Sequence, residues 1–201
     1  MKQIAGNRSS AKHAWLLLSA ALAAGAVAGS SLPVDSLAWQ RQVPWDAQRL
    51  WTAALTHWSG THLWLNLGAL VLVALLGHCA RLPPRAALAW LVAIPGTHAL
   101  LWWAGEISVY AGMSGVIHAG VTVVAAFLLR MQGALRVVGI GLAAGLTLKV
   151  ALEAPWLAAL QESPEWGFRV ATAAHATGVL SGLSASLILV PWTRRRPSTP
   201  V

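Results

Sequence analysis

Apolar residues fall into six long blocks separated by short polar segments. A helix needs about 20 mostly apolar residues to cross a bilayer. By that measure the chain is predicted to hold six spans, at roughly 14–32, 61–79, 86–104, 114–130, 134–152 and 170–190. We therefore predict an all-α membrane domain over 14–190, with cytoplasmic tails at 1–13 and 191–201.

Small and helix-breaking residues mark three of these blocks. Pro95-Gly96 interrupts the third span. The fifth span carries Gly141 and Gly145, and the sixth carries Gly178 and Gly182. Small residues four apart let two membrane helices approach closely, so both glycine pairs are predicted to lie at helix contacts.

Composition excludes two other classes of protein. Hydrophobic residues make up 57% of the chain, charged residues 10%, and mean hydropathy is +0.62, whereas a soluble domain carries about 25% charged residues. The chain is thus neither a soluble globule nor disordered. A single cysteine, Cys79, rules out an internal disulfide framework and a multi-cysteine metal site.

Charge placement predicts the orientation of the spans. Threading six spans puts ten of the fourteen basic residues on one side and all six acidic residues at or beyond the other. Because basic residues favour the cytoplasmic side, both termini are predicted to be cytoplasmic. The net charge of +8 then reports topology, not nucleic-acid binding, and the tail Arg194–Arg196 is predicted to anchor on lipid headgroups. The basic residues are Lys2, Arg8, Lys12, Arg81, Arg85, Arg130, Arg136, Arg194, Arg195 and Arg196; the acidic residues are Asp35, Asp46, Glu106, Glu153, Glu162 and Glu165.

The first span also has features of a secretory signal. Residues 1–13 are basic, 14–25 are apolar, and Ala26-Val27-Ala28 resembles a signal-peptidase site. Cleavage there would leave five spans. The apolar stretch continues to Leu32, which favours an uncleaved helix.

The longest connection, 33–60, is predicted to be external. It carries few charges and four tryptophans: Trp39, Trp45, Trp51 and Trp58. Tryptophan prefers the membrane–water interface, so we expect this loop to lie in the headgroup layer.

Polar side chains from three spans are predicted to share one depth. His62 and Asn66 lie four residues apart on span two, and therefore on one helix face. Ser114 begins span four between Gly112 and Gly115, glycines that would let a ligand approach the backbone. His175 lies about six residues into span six, or roughly 9 Å. Polar groups within spans are functional candidates by default.

This combination predicts nucleophilic catalysis. A serine hydroxyl needs an adjacent base to remove its proton, and a neutral histidine can do so and then protonate a leaving amine. Free N–H groups at a helix start, together with Asn66 and His62, suit a developing oxyanion. We expect no Asp or Glu at the depth of His175, which predicts a Ser–His dyad.

Structural interpretations of the same residues remain open. A serine that begins a membrane helix is usually structural when taken alone, and a buried histidine can simply join two helices. The other histidines, His13, His57, His78 and His98, are dispersed, so we predict neither a metal site nor a cofactor. Lys149, near the outer end of span five, is expected to snorkel.

Together these motifs resemble the rhomboid family of intramembrane serine proteases over about residues 50–190. The matching segments are His62-x-x-x-Asn66, Gly112-Met113-Ser114-Gly115 and Ala174-His175-x-x-Gly178. The resemblance implies Ser114 as nucleophile, His175 as base, and an oxyanion site of His62, Asn66 and the Ser114 amide. It also implies a short span four beside a water-filled cavity, span six packed on span four, and single-span membrane proteins as substrates.

Two departures from the best-known bacterial rhomboids stand out. Four residues after the serine, where those enzymes carry an aromatic residue that stacks on the base, this chain has His118. His118 is either a second polar wall of the site or a structural group that packs on His175. The external loop lacks a Trp-Arg pair often found there, although Gln48-Arg49-Leu50-Trp51 is similar in composition.

The pattern Tyr110-x-Gly-x-Ser-Gly-x-x-His118 in a compact chain resembles the rhombosortase subfamily. That resemblance implies a bacterial inner-membrane enzyme whose site opens to the periplasm. Its substrates would be exported proteins with a C-terminal Gly-Gly motif, apolar helix and basic tail. Whether water or another amine receives the acyl group stays open.

Three alternative functions remain open. A rhomboid-like scaffold that binds transmembrane helices without cutting them would be marked by loss of the serine or histidine, and both are present here. A small transporter would favour an inverted repeat, and the chain shows none. Cleavage of soluble peptides is disfavoured because no extramembrane domain is predicted.

Overall fold

The computed structural model describes residues 13–163 and 168–189, and the chain is mostly helical. Helices lie at all six predicted positions: α1 (Ala14–Gly29), α4 (Gly60–Cys79), α5 (Pro84–Leu100), α6 (Ser114–Leu128), α7 (Ala134–Glu153) and α8 (Thr172–Leu189). Shorter elements lie between them: α2 (Val34–Leu37), β1 (Trp39–Gln40), α3 (Ala47–Thr52), β2 (Val109–Tyr110) and 3-10 turns at Ala53–Leu55 and Leu101–Trp103. The predicted basic tails and Glu165 lie outside the described residues.

Length separates these helices into two groups. Within the described residues four are long and apolar enough to cross a membrane: α4, α5 with its following turn, α7 and α8. Helices α1 and α6 are apolar but have only 16 and 15 residues, fewer than most spanning helices. The set is compatible with a membrane-embedded protein.

The inner core forms around α6. Trp90 of α5 is fully buried, donates from its indole N–H to Val116 O at 2.8 Å, and stacks on Trp15 at 4.5 Å between ring centroids. Trp15 in turn donates to Val73 O. These two tryptophans lie inside the bundle, where each indole N–H finds a backbone acceptor.

Glycines bring α6 and α8 into backbone contact. A Cβ added at Gly178 would lie 2.0 Å from Gly115 O, and one at Gly182 would lie 2.6 Å from Ala119 O. This confirms the predicted close packing of span six on span four. No larger residue fits these two positions without moving a helix.

The other glycine pair behaves differently. A Cβ at Gly141 or Gly145 would meet nothing within 4 Å, and α7 is the least buried of the four long helices. The predicted contact is wrong, since small residues permit close approach but do not supply a partner. The interruption predicted at Pro95-Gly96 is also absent, because α5 runs continuously through Pro95. Neighbouring helices can hold a membrane helix together across the lost hydrogen bond.

The segment 33–60 is folded onto the end of the bundle. Strand β1 pairs antiparallel with β2, with Trp39 opposite Tyr110. Trp39 is fully buried in a second core with Leu101, Ile107 and Ala159. Trp39 therefore does not lie at the interface as expected, whereas Trp45, Trp51 and Trp58 are exposed.

Two arginines fasten these outer loops, and nothing in the sequence pattern predicted their role. Arg41 donates to the carbonyl oxygens of Ile107 at 2.8 Å, Trp102 at 3.0 Å, Leu101 at 3.2 Å and also Ala104. Arg49 donates to those of Asp35 and Ala38 at 2.7 and 2.6 Å. These two side chains thereby join the backbones of the outer loops that precede α6.

Candidate active site

Ser114 begins α6 directly after a strained turn. Gly112 has φ of +135°, a conformation that disfavours other residues, and its N–H donates to Ala53 O at 2.9 Å. A Cβ at Gly112 would lie 2.7 Å from the His62 ring. Met113 between them is fully buried. Gly112 thus makes room for a side chain of the protein itself, where the sequence suggested room for a ligand.

The contact between α6 and α8 brings His175 beside Ser114. A Cβ at Gly115 would lie 2.6 Å from Ala174 O, so each catalytic candidate neighbours a residue of this contact. Helix α8 begins at Thr172, which puts His175 in its first turn, about 4.5 Å along the axis at 1.5 Å per residue. The helix therefore begins two residues after the predicted start of span six at 170.

One cavity of about 370 Å³ collects the predicted residues. Ser114, His175, His62 and Asn66 all line it, together with Tyr110 and Glu153. His175 and Asn66 are almost fully buried beside it. The structure therefore brings the four candidate residues together at one open pocket.

Two side-chain nitrogens of residues that line this cavity lack a hydrogen-bond partner. Asn66 Nδ2 and His62 Nδ1 are buried, and neither has a hydrogen-bond partner among the described residues. Leaving a buried polar group unpaired costs about 1–3 kcal/mol. An amide or imidazole N–H without a partner can donate to an anionic oxygen, as an oxyanion site requires.

Tyr110, which the sequence marked only as part of a pattern, contacts the start of α6. Its hydroxyl accepts from the Gly115 N–H at 3.5 Å and hydrogen-bonds the Ser114 side chain. Burial raises the pKa of Tyr110 above its usual value. The residue therefore acts as a neutral hydroxyl that holds Ser114.

His118 packs on His175. The two rings stack with centroids 4.2 Å apart and planes at 13°. His118 Nδ1 donates to Ser114 O at 2.7 Å, which fixes its ring one turn along α6. Because His118 does not line the cavity, the geometry agrees with the packing interpretation and not with a second polar wall.

A carboxylate contacts His175, contrary to expectation. His175 Nδ1 donates to Glu153 Oε2 at 2.8 Å, and Glu153 Oε1 pairs with Lys149 Nζ at 2.6 Å. The prediction of a site without a carboxylate was wrong, because the Glu153 side chain at the end of α7 turns inward and reaches His175. Lys149 forms this ion pair where snorkelling alone was expected. The spacing Lys149-x-x-x-Glu153 at an outer helix end was the available signal.

Two aromatic rings contact the His62 ring. Phe168 stacks on it with centroids 4.5 Å apart, and His57 meets it edge-on at 4.9 Å. His57 is therefore not dispersed from the site as the sequence suggested. Burial, with a smaller contribution from His62, lowers the pKa of His57 to about 4, so His57 is a neutral ring at pH 7.

This arrangement can support a serine nucleophile, an imidazole base and an anion site. No hydrogen bond joins Ser114 Oγ to His175 in the described structure; such contacts often tighten only when substrate binds. No protein-family model matches the chain, and no curated protein matches it in sequence.

Proposed function

We propose that this chain is an intramembrane serine endopeptidase with a six-span, rhomboid-like bundle. The observation that carries the proposal is the meeting of Ser114 and His175, at the starts of two packed helices, in a cavity that His62 and Asn66 also line. Separate structural roles for these residues would not require a shared cavity.

The reaction follows from these positions. Ser114 Oγ attacks the carbonyl carbon of the scissile peptide while His175 Nε2 takes the hydroxyl proton. The carbonyl oxygen becomes anionic beside the Asn66 and His62 donors and the start of α6. As the C–N bond breaks, His175 returns the proton to the leaving nitrogen, and an ester remains on Ser114.

The second half of the reaction cleaves the ester on Ser114. Water, or an amine of another molecule, attacks the ester carbon while His175 accepts its proton. The C–O bond to Ser114 then breaks and His175 returns the proton to Oγ. Both acceptors fit the same residues, so the proposal includes hydrolysis and transfer.

The proposed location is a bacterial inner membrane with both termini cytoplasmic. The predicted distribution of basic and acidic residues supports this orientation. The cavity then opens to the periplasmic side. Its substrates are single-span membrane proteins, and the resemblance to rhombosortases adds a C-terminal Gly-Gly motif, apolar helix and basic tail.

The test is cleavage of such a reporter in vesicles that contain the purified protein. Wild type should release the N-terminal part of the reporter, whereas Ser114→Ala and His175→Ala should release none. Matched controls are Ser181→Ala, on α8 away from the cavity, and His78→Ala, at the exposed end of α4; both should cleave as wild type does.

Two outcomes would revise the proposal. Cleavage by Ser114→Ala or His175→Ala would show that these residues are not the nucleophile and its base. Stable reporter binding by the wild type without cleavage would instead favour a scaffold that holds transmembrane helices. A second reporter lacking Gly-Gly tests the subfamily, since a rhombosortase should leave it intact.

A further inference from the structure

The Glu153 side chain lines the cavity, although a carboxylate is not expected at its position in α7. Glu153 is the last residue of α7, where Ala154 turns into the left-handed conformation with φ of 40°. A carboxylate is disfavoured at the negative end of a helix. Most of α7 is exposed, yet the Glu153 side chain is only 17% exposed because it turns inward to the cavity.

The contact with His175 defines the protonation of the imidazole. An ionised carboxylate can only accept hydrogen bonds, so the 2.8 Å contact between Glu153 Oε2 and His175 Nδ1 requires the proton on Nδ1. The lone pair is then on Nε2, the nitrogen that a serine base must use. Glu153 thus selects the tautomer that the proposed reaction requires.

The carboxylate is itself held from two directions. Lys149, one turn earlier on α7, binds Oε1 at 2.6 Å, which leaves Oε2 for the histidine. Gln161 Nε2 donates to the backbone oxygen of Glu153 and so ties the end of α7 to the following loop. His118 stacks on the His175 ring, which restricts its tilt but does not select its tautomer.

We propose that Glu153, held by Lys149, is a positioning residue for His175, so that the site is a Ser114–His175–Glu153 array. This inference rests on the proposed protease function. It adds a third member to the expected dyad and assigns Lys149 a role in the same array.

The kinetic test replaces the carboxylate with an amide of the same shape. In Glu153→Gln the amide can donate to Nδ1 and favour the wrong tautomer, so kcat for reporter cleavage should fall by roughly 10²- to 10⁴-fold with little change in KM. Glu153→Asp keeps the carboxylate and should turn over faster than Glu153→Gln. Asp35→Asn, at an exposed carboxylate that neither lines the cavity nor contacts His175, is the matched control and should match wild type.

A spectroscopic test does not depend on activity. Nitrogen-15 spectra of histidine-labelled Ser114→Ala protein, with His175 assigned by its substitution, should show a proton on Nδ1, and adding Glu153→Gln should move it to Nε2. An unchanged tautomer, or unchanged kcat in Glu153→Gln while Ser114→Ala is inactive, would overturn the positioning role alone. Loss of the protease function would appear differently, as an inactive wild type that still shows the Nδ1 proton.

Discussion

At the residue scale, the site combines groups that the sequence could name with one that it could not. Ser114, His175, His62 and Asn66 are polar residues in apolar segments, and that contrast is visible without a structure. Glu153 was counted only as an acidic residue outside the membrane. Its contact with His175 depends on the inward turn of the side chain at the end of α7, which hydropathy does not specify.

Asn66 provides a test of the oxyanion site. Asn66→Ala should lower kcat by roughly 10²- to 10³-fold with KM nearly unchanged, because the lost donor would act on the transition state. Asn66→Asp has the same size but no N–H donor, and it should lose as much. Both are measured by steady-state cleavage of the reporter. A raised KM with normal kcat would instead make Asn66 a substrate-docking residue.

At the element scale, the six helix positions follow from hydropathy because each helix satisfies its own backbone in an apolar solvent. The outer elements do not follow in this way. Pairing of Trp39 with Tyr110 joins residues about seventy positions apart, and a two-residue strand leaves no alternating pattern to detect. Burial of Trp39 and the carbonyl contacts of Arg41 depend on the same long-range folding.

The contact between α6 and α8 depends on Gly178, which a substitution can test. Gly178→Ala should destabilise the protein by about 1–3 kcal/mol, since its Cβ would overlap Gly115 O and force α8 from α6. We expect the thermal unfolding midpoint in detergent to fall by roughly 2–12 °C, with loss of cleavage because Ser114 and His175 separate.

Gly141→Ala is the control for this change. It adds the same methyl group to a helix surface with nothing within 4 Å, so its midpoint and activity should match wild type. Equal midpoints for the two variants would mean that the contact between α6 and α8 is not as close as described.

At the scale of the whole molecule, the loops between helices lie at the two ends of the helix bundle. Residues of the outer loops contact one another: β1 pairs with β2, Ala159 N–H donates to Glu106 at 3.1 Å, and Thr172 contacts Ala158 O at 2.9 Å. This loop cluster carries the start of α6 and the cavity. Arg85, at the start of α5, and Arg130, after the end of α6, lie outside this loop cluster. Separation of acidic loops from basic turns is the pattern that the proposed orientation requires.

The proposed function requires that Ser114 is an activated nucleophile. It is tested most directly by treating the purified, detergent-solubilised protein with a fluorophosphonate probe, beside folded Ser114→Ala and His175→Ala. We predict covalent labelling of the wild type and of neither variant, because the hydroxyl reacts only when His175 takes its proton. Labelling that persists in Ser114→Ala, or a folded wild type that is not labelled, would contradict it.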